Sequence, residues 1–499
     1  MQDRQSEMMG RRLRRAVVDL GSNSVRLVVF EGESRNPVQI FNEKAVLRLA
    51  RGLIHTNRLE PSAMDEAMVV LRRYATIASA MGAAPFEALA TSAVRDAANG
   101  AEFVARIGRE VPNLAVTVLS GDAEARLSAE GVLCGIPAAD GILADLGGGS
   151  LELVRLARGV IGAAATLPVG VIRLAERAGG EPARARAIVE EELAAVPFAQ
   201  EGAGGDLYLS GGAFRALARI HIAQTSYPLA VVHHYTIGRD EARDLSAVVG
   251  EASRKLIERM PGASRRRIED LPFAAVILRR LLRATGAGRV VFSANGLREG
   301  WFLRQLPQAM REQDPLIAAA RDLAIGMVRD PGLPQALIEW TKALFPGETA
   351  NQLRLREAAC WYSDIGYHEH PEYRAEQAYL RVLRQTGVAL DHHARAFLAL
   401  TVALRYEAPS DAGFLASARS LLAMDAARRA ETLGAALRLA YTLSAGTPAL
   451  LAAAALTLQP DRLVLTLDAA SGVFAGEAIT RRLARLAALV GVEPEVRAI

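Results

Sequence analysis

Two stretches place an acid, a small polar turn and a second apolar run in the same order. In one, Gly141–Ala144 runs into Asp145, the turn Gly147, Gly148, Gly149, Ser150 follows, and Leu151–Leu156 reads as a strand. In the other, Ala16-Val17-Val18 runs into Asp19, then Leu20-Gly21-Ser22-Asn23-Ser24, then a strand-like Val25–Phe30. Each acid stands two residues before the first glycine of its turn. Glycine lets a backbone turn sharply and bring its N–H groups against a ligand where side chains would collide. Such N–H groups suit a phosphate oxygen, and a carboxylate at the strand end can hold a cation beside it. One such turn is as readily a plain hairpin. Two copies point to related halves facing one polyphosphate ligand.

The elements around these turns alternate. Strands are expected at Ala16–Leu20, Val25–Gly32 and Val38–Leu49, then a helix over Pro61–Met81 with Pro61 in its first turn and Gly82 past its end. A short strand Phe86–Ala90 leads into Thr91–Asp96. A helix Ala101–Glu110, a strand Leu114–Leu119 and a helix Asp122–Leu133, capped by Ser120 or Asp122, follow. The second half reads as strands Ile142–Leu146, Leu151–Val160, Leu207–Leu209 and Arg289–Phe292. Its helices are expected near Ala183–Ala195, Phe214–Ile220 and Pro272–Thr285. Alternation of this kind implies an α/β fold with ligand contacts at the strand ends.

Composition sets the bounds. The chain has 499 residues, 51% of them hydrophobic and 23% charged, with a net charge of +4. That suits a globular protein of about three domains; such a balance does not make a nucleic-acid binder by charge alone, but it suits an anionic substrate. Cys134 and Cys360 stand far apart without a CxxC spacing and read as buried, reduced thiols of a cytosolic protein. Arg11, Arg12, Arg14 and Arg15 form a basic leader, flexible or polyanion-contacting. The apolar run after it is broken by Asp19, so neither export nor membrane insertion is expected.

The wording of the motifs is more specific. Asp19–Arg26, Ala90–Ala97 (Ala-Thr-Ser-Ala-Val-Arg-Asp-Ala), Ser120–Leu127 (Ser-Gly-Asp-Ala-Glu-Ala-Arg-Leu) and Asp145–Glu152 occur in that order, and Asn295–Gly300 closes the second half. Together they resemble the exopolyphosphatase/guanosine pentaphosphate phosphatase family of the actin-like ATPase superfamily. The resemblance covers about residues 14–305 and more loosely the rest. It implies Mg²⁺-dependent (or Mn²⁺-dependent) hydrolysis of a terminal phosphoanhydride by an activated water. It makes Glu124 the base; the family's preceding glutamate is Ala123 here. Asp19, Asp145 and Glu152 become candidate Mg²⁺ holders, directly or through water. Ser22, Asn23, Ser24 and Arg26, with the N–H groups of Gly147, Gly148, Gly149 and Ser150, become phosphate ligands. Arg95 and Arg267 become guanidinium clamps on phosphate, although the run Arg265–Arg267 also reads as a solvated basic face or a polyanion track.

The implied architecture is two actin-like (ribonuclease H-like) halves, 1–135 and 136–306. A mostly helical domain, 307–447, resembles a His-Asp phosphohydrolase, and a small α/β piece, 448–499, ends the chain. In the helical domain Ser363-Asp364 stands where that fold's metal-binding His-Asp doublet would be, and His368, His370, His392 and His393 lack its spacing. Expected partners are inorganic polyphosphate and guanosine penta- or tetraphosphate, with no membrane, no specific nucleic acid, a cytoplasmic location and a homodimer. The rival functions are pentaphosphate phosphatase, a catalytically weak sensor of alarmone or polyphosphate, and an actin-like kinase.

Overall fold

The structure, a computed structural model, describes residues 13–499 except 203, 387–388 and 474. It divides into two compact units, Met1–Glu312 and Gln313–Ile499. Arg11 and Arg12 lie outside the described residues. Arg14 and Arg15 are not leader but the first residues of a strand, where Arg14 pairs with Glu31 at 2.9 Å and Arg15 donates to the Gly32 carbonyl at 3.0 Å.

The first unit holds two mixed sheets. One is built from β1 (Arg14–Leu20), β2 (Ser24–Glu31), β3 (Val38–Val46), β4 (Phe86–Ala90) and β5 (Ala115–Val118), in the order β3-β2-β1-β4-β5. The other contains β6 (Gly141–Leu146), β7 (Leu151–Ala157), β8 (Val160–Leu167), β9 (Asp206–Ser210), β10 (Tyr235–Gly238) and β11 (Arg289–Phe292), in the order β10-β11-β9-β6-β7-β8. In each, an antiparallel three-strand meander joins parallel strands through its first strand. Apart from the added β10, the second sheet repeats the first, which is the duplicated actin-like arrangement. The expected single strand Leu151–Val160 is two: Arg158 and Gly159, at φ 47° and 86°, turn β7 into β8. Such paired positive φ values are what a tight hairpin demands.

Helices α1 (Pro61–Ala80), α2 (Ser92–Asp96) and α3 (Gly100–Glu110) belong to the first half, and α4 (Gly121–Gly135) leads out of it. In the second half, α5 (Val171–Arg177), α6 (Pro182–Ala194), α7 (Gly212–Gln224), α8 (Arg239–Glu251) and α9 (Leu271–Thr285) are followed by α10 (Leu297–Arg304). The α4 helix is the wedge. Its Leu127 and Cys134 pack with Val17, Val28 and Phe30 of the first sheet, while Ala125, Ala129 and Val132 pack with Leu143, Val154 and Leu156 of the second. Strand parity therefore matters: Ala16, Val18 and Leu20 fill the outer core, so Val17 and Asp19 lie on the face toward α4. The same alternation brings Asp145, beyond Leu143, and Glu152, before Val154, to that inner face. Small residues let α10 approach α4 closely. A Cβ on Gly131 would sit 1.8 Å from the Gly296 carbonyl oxygen, and one on Gly300 would sit 1.9 Å from that of Leu127.

The second unit is mostly helical, with α11 (Ala350–Tyr362), α12 (His392–Arg405), α13 (Met424–Ser444) and α14 (Glu477–Val490) among its helices. A small sheet, β12 (Ala454–Leu458), β13 (Arg462–Leu467) and β14 (Glu493–Ala498), closes it, with α14 crossing between the parallel β13 and β14. Asp364 is buried and accepts from Arg329 Nη2 at 2.8 Å and Arg405 Nη2 at 3.2 Å, so two guanidinium groups stand against the one acid of the Ser363-Asp364 pair. Arg405 lies 3.6 Å from the Tyr441 ring centroid and 4.0 Å from that of Tyr406. No described helix is long and apolar enough to cross a membrane.

Candidate active site

The two turns have the same local construction. Gly21 N–H donates to the Ser24 carbonyl at 3.1 Å and Gly147 N–H to the Ser150 carbonyl at 3.0 Å. Across each hairpin the acid faces a different partner: Asp19 pairs in register with Arg26, and Asp145 with Glu152. Arg26 in turn registers with Lys44 on β3. The repeat is thus chemically asymmetric, with cations beside one acid and a second carboxylate beside the other.

The turns meet. A Cβ on Gly149 would lie 2.5 Å from Ser92 Oγ and 2.8 Å from Ser22 Oγ, and one on Gly148 would lie 3.2 Å from the Asn23 nitrogen. Neither Gly147, Gly148 nor Gly149 has a positive φ. Glycine is needed here for the approach of one turn to the other, not for the sharpness of the bend. The carbonyls of the turns are taken up elsewhere. Those of Ser22 and Asn23 accept from Ala50, Leu47 and Arg48, which is why β3 stops at Val46 rather than Leu49. Those of Gly147 and Gly148 accept from the first N–H groups of α5. The N–H groups of Ser22, Asn23, Gly148 and Gly149 donate to no acceptor among the described residues, which leaves a cradle for an oxyanion.

A cavity of about 150 Å³ opens on this junction. Asp19, Ser22, Asn23, Ser24, Arg26, Asp145, Gly147, Gly148, Ser150, Glu152, Glu124 and Arg267 of the expected set line it. Glu124 arrives on the first turn of α4, whose N-cap is Ser120, with its Oγ accepting from Ala123 N–H at 3.2 Å. Burial raises the Glu124 carboxyl to about 7, with Arg95 opposing and Asp145 and Asp19 adding. Burial also pushes Glu152 well up, helped by Glu124 and Asp145, and raises Asp19 against the pull of Arg298 and Arg26.

Arg95 does not line the cavity. Its Nη1 donates to Glu124 Oε2 at 2.7 Å and to the Leu119 carbonyl at 3.2 Å, and its Nε to Asp96 at 3.1 Å. In this structure its guanidinium is paired with the Glu124 carboxylate rather than turned to the cavity. Asp96 also accepts from Arg173 Nη2 of α5 at 2.6 Å, so a polar relay runs from the second half to Glu124. Arg267 keeps its place at the cavity, steadied by Asp270 at 2.9 Å.

Three cations of the cavity wall, Lys44, Arg215 and Arg298, carry no role in the sequence reading. Lys44 would emerge from the β3 register alone; Arg215 and Arg298 each stand in the first turn of a helix after a glycine-containing strand end. Their mutual repulsion and burial both disfavour the charged forms. Burial, with Arg267, Arg26 and Arg215, lowers Lys44 to about 8; burial, then Arg298, lowers Arg26 and Arg215 to about 10. Five cations and four carboxylates thus share one small cavity. The Oε1 atom of Glu152, buried without a donor, and the two strand-end acids fit a divalent cation in chemistry. Among the described residues no three His, Cys, Asp or Glu side chains form a ready-made cage, as is usual for Mg²⁺ sites completed by waters and substrate phosphates.

Residues 28–309 match the Ppx/GppA phosphatase family, and residues 316–496 match the exopolyphosphatase C-terminal domain. Exopolyphosphatase 1 of Mycobacterium tuberculosis is 29% identical over 306 residues, covering 59% of this chain and 88% of that one. Retrograde regulation protein 2 of Saccharomyces cerevisiae is 25% identical over 450 residues, covering 81% of this chain and 74% of that one. The crystal structure of an exopolyphosphatase from Cytophaga hutchinsonii shares the fold at a TM-score of 0.54 and 24% identity, over 59% of this chain and 99% of that one. The Aquifex aeolicus Ppx/GppA enzyme aligns at a TM-score of 0.50 and 26% identity, over 58% of this chain and 98% of that one. With its paired turns, its wedged glutamate helix and these matches, the chain belongs to the Ppx/GppA phosphatase family.

Proposed function

We propose that this chain is an exopolyphosphatase that hydrolyses the terminal phosphoanhydride of inorganic polyphosphate, with Glu124 taking the proton of the attacking water. The observation that carries the reading is Glu124 itself: a buried carboxyl, held by Arg95 and raised by burial to about 7, on the wall of the cavity that the two turns line. A base is most effective when its pKa lies near the working pH. The N–H groups of the two turns hold the terminal phosphoryl oxygens, while Arg26, Lys44, Arg215, Arg267 and Arg298 neutralise the chain behind them. Arg95 fixes the Glu124 carboxylate so that one oxygen stays directed at water. Asp19, Asp145 and Glu152 would hold Mg²⁺ (or Mn²⁺), which when bound neutralises phosphoryl charge. The relatives named exopolyphosphatase support the substrate class.

On this reading the C-terminal unit is a degenerate His-Asp phosphohydrolase-like module without metal chemistry of its own. A homodimer and a cytoplasmic location accompany it, tested by sedimentation velocity and fractionation. One relative bears a regulatory name, which favours the sensor as the second reading; the intact Glu124 environment speaks against it. The test is phosphate release, with Mg²⁺, from long-chain polyphosphate and separately from guanosine pentaphosphate. Glu124→Gln is expected to lose about 10² to 10⁴ in rate. Faster release from the pentaphosphate would transfer the reading to that substrate. Binding of both without release by the wild type would leave the sensor.

A further inference from the structure

The C-terminal unit contains a second cationic cavity, of about 260 Å³, between α13, α14 and the segment that follows α12. Arg438 comes from α13, and Arg482 and Arg485 from α14, over an apolar floor that includes Leu404 and Leu489. The carboxylates are fewer than the cations. Glu431 is drawn to Arg419 at 2.8 Å, outside the lining. Glu407 is shared: it accepts from Arg482 Nη2 at 2.5 Å and also from Arg438. Arg485 is exposed and has no carboxylate within ion-pair distance among the described residues. The Nε–H groups of Arg438 and Arg482 are buried with no acceptor, so donors are in surplus inside the cluster as well as at its mouth.

The backbone at Glu407 adds an independent observation. α12 ends in a motif in which Ala408 N–H donates to Ala403 and Glu407 N–H to Leu404. Glu407 takes the left-handed position of that cap, at φ 63°. Glycine is the usual occupant there, because a Cβ is strained in that conformation. A glutamate there carries that backbone cost, and its carboxylate bridges two arginines. Strained residues of this kind cluster at ligand sites.

We propose that this cavity is an oxyanion site for a small, multiply charged phosphate, which Arg438, Arg482 and Arg485 receive and for which Glu407 is the internal counter-ion. A phosphate entering the cavity displaces the Glu407 carboxylate from the arginine pair and gains the unpaired Arg485. Guanidinium forks match phosphate oxygens in a bidentate way. The site is built from the C-terminal unit alone and does not rest on the substrate assigned to the hydrolytic one. The phosphate is either the free ion or the end of a phosphomonoester.

Hydrogen exchange of the full chain, read by mass spectrometry with inorganic phosphate and separately with glycerol 3-phosphate as probes, tests it. Peptides covering residues 404–412 and 477–490 are expected to exchange more slowly with at least one probe. Protection by phosphate alone assigns the free ion; protection by the ester as well assigns the monoester end. Glu407→Gly suits the backbone position and removes the competing anion, so half-protection should need about tenfold less probe. Arg485→Gln, which breaks no ion pair, should need about tenfold more. Absence of protection overturns the proposal. So does protection unchanged in Arg485→Gln, which marks an effect relayed from elsewhere, or weakened binding in Glu407→Gly, which marks Glu407 as a plain structural partner.

Discussion

A carboxylate kept from water, with an arginine to hold it, is a different reagent from a surface glutamate. Burial raises Glu124 to about 7 while Arg95 pulls the other way. Removing Arg95 therefore takes away the main downward influence, and the acid limb of the kcat/KM profile in Arg95→Gln should move to higher pH. If Arg95 were a phosphate clamp, KM would rise and that limb would stay where it is. The alkaline limb belongs to another residue. Glu124 must be ionised to accept a proton, so activity rises through about pH 7. Lys44 must be charged to hold phosphate, and burial with the neighbouring arginines lowers it to about 8, so activity should fall as the pH passes that value. Lys44→Met should lower kcat/KM at pH 7 by about tenfold and abolish the alkaline limb while leaving the acid limb in place. An alkaline limb that persists in this variant would assign it to another group.

Among the elements, the decisive contact is hairpin against hairpin. Gly149 permits it, since a methyl there meets two serine hydroxyls at 2.5 and 2.8 Å. Gly149→Ala should displace the turn by several tenths of an ångström and cost about tenfold in kcat/KM, because misplacement disturbs in-line geometry, a full ångström costing about 10². Ser92→Gly, removing the nearest obstruction, should recover part of the loss; no recovery would mean that the crowding with Ser92 is not what costs activity. The hairpins themselves were legible. An acid, a small polar turn and an apolar run, twice over, can be seen without any long-range knowledge, and the repeat in sheet order follows from it. The reason for the glycines was not legible, because it lies in contacts between residues far apart in the chain. The pairing of Arg95 with Glu124 is illegible for the same cause: the two stand on different elements, and only the packing of α4 between the sheets brings them to 2.7 Å. Lys44 needed the β3 register. β12, rich in alanine, carries almost no strand propensity of its own and exists through its pairing with β13.

At the scale of the molecule, the chain spends its ionic groups in two opposite ways. In the first unit, the cavity leaves four carboxylates and five cations in close quarters, with a donorless oxygen on Glu152 and an acceptorless Nη1 on Arg298, a state suited to a charged ligand. In the second, Asp364 is almost fully buried and saturated by Arg329 and Arg405, the latter also held by two tyrosine rings. That cluster has no spare oxygen for a metal and reads as structure. Breaking one side of a buried pair leaves an uncompensated charge, at a cost of about 3–5 kcal/mol. Asp364→Asn should therefore lower the thermal midpoint of the C-terminal unit by several degrees, measured by calorimetry on the full chain. Asp364→Leu combined with Arg405→Met removes the two fully buried charges, leaves the part-exposed Arg329 to solvent, and should restore most of the loss, because matched apolar replacements of buried pairs are often near neutral. Wild-type and Asp364→Asn protein should take up equal Mn²⁺ in equilibrium dialysis. A bound ion lost with Asp364 would return this cluster to metal chemistry; a double variant no better than the single one would show that the tyrosine-stacked guanidinium, rather than the ion pair, holds the unit together.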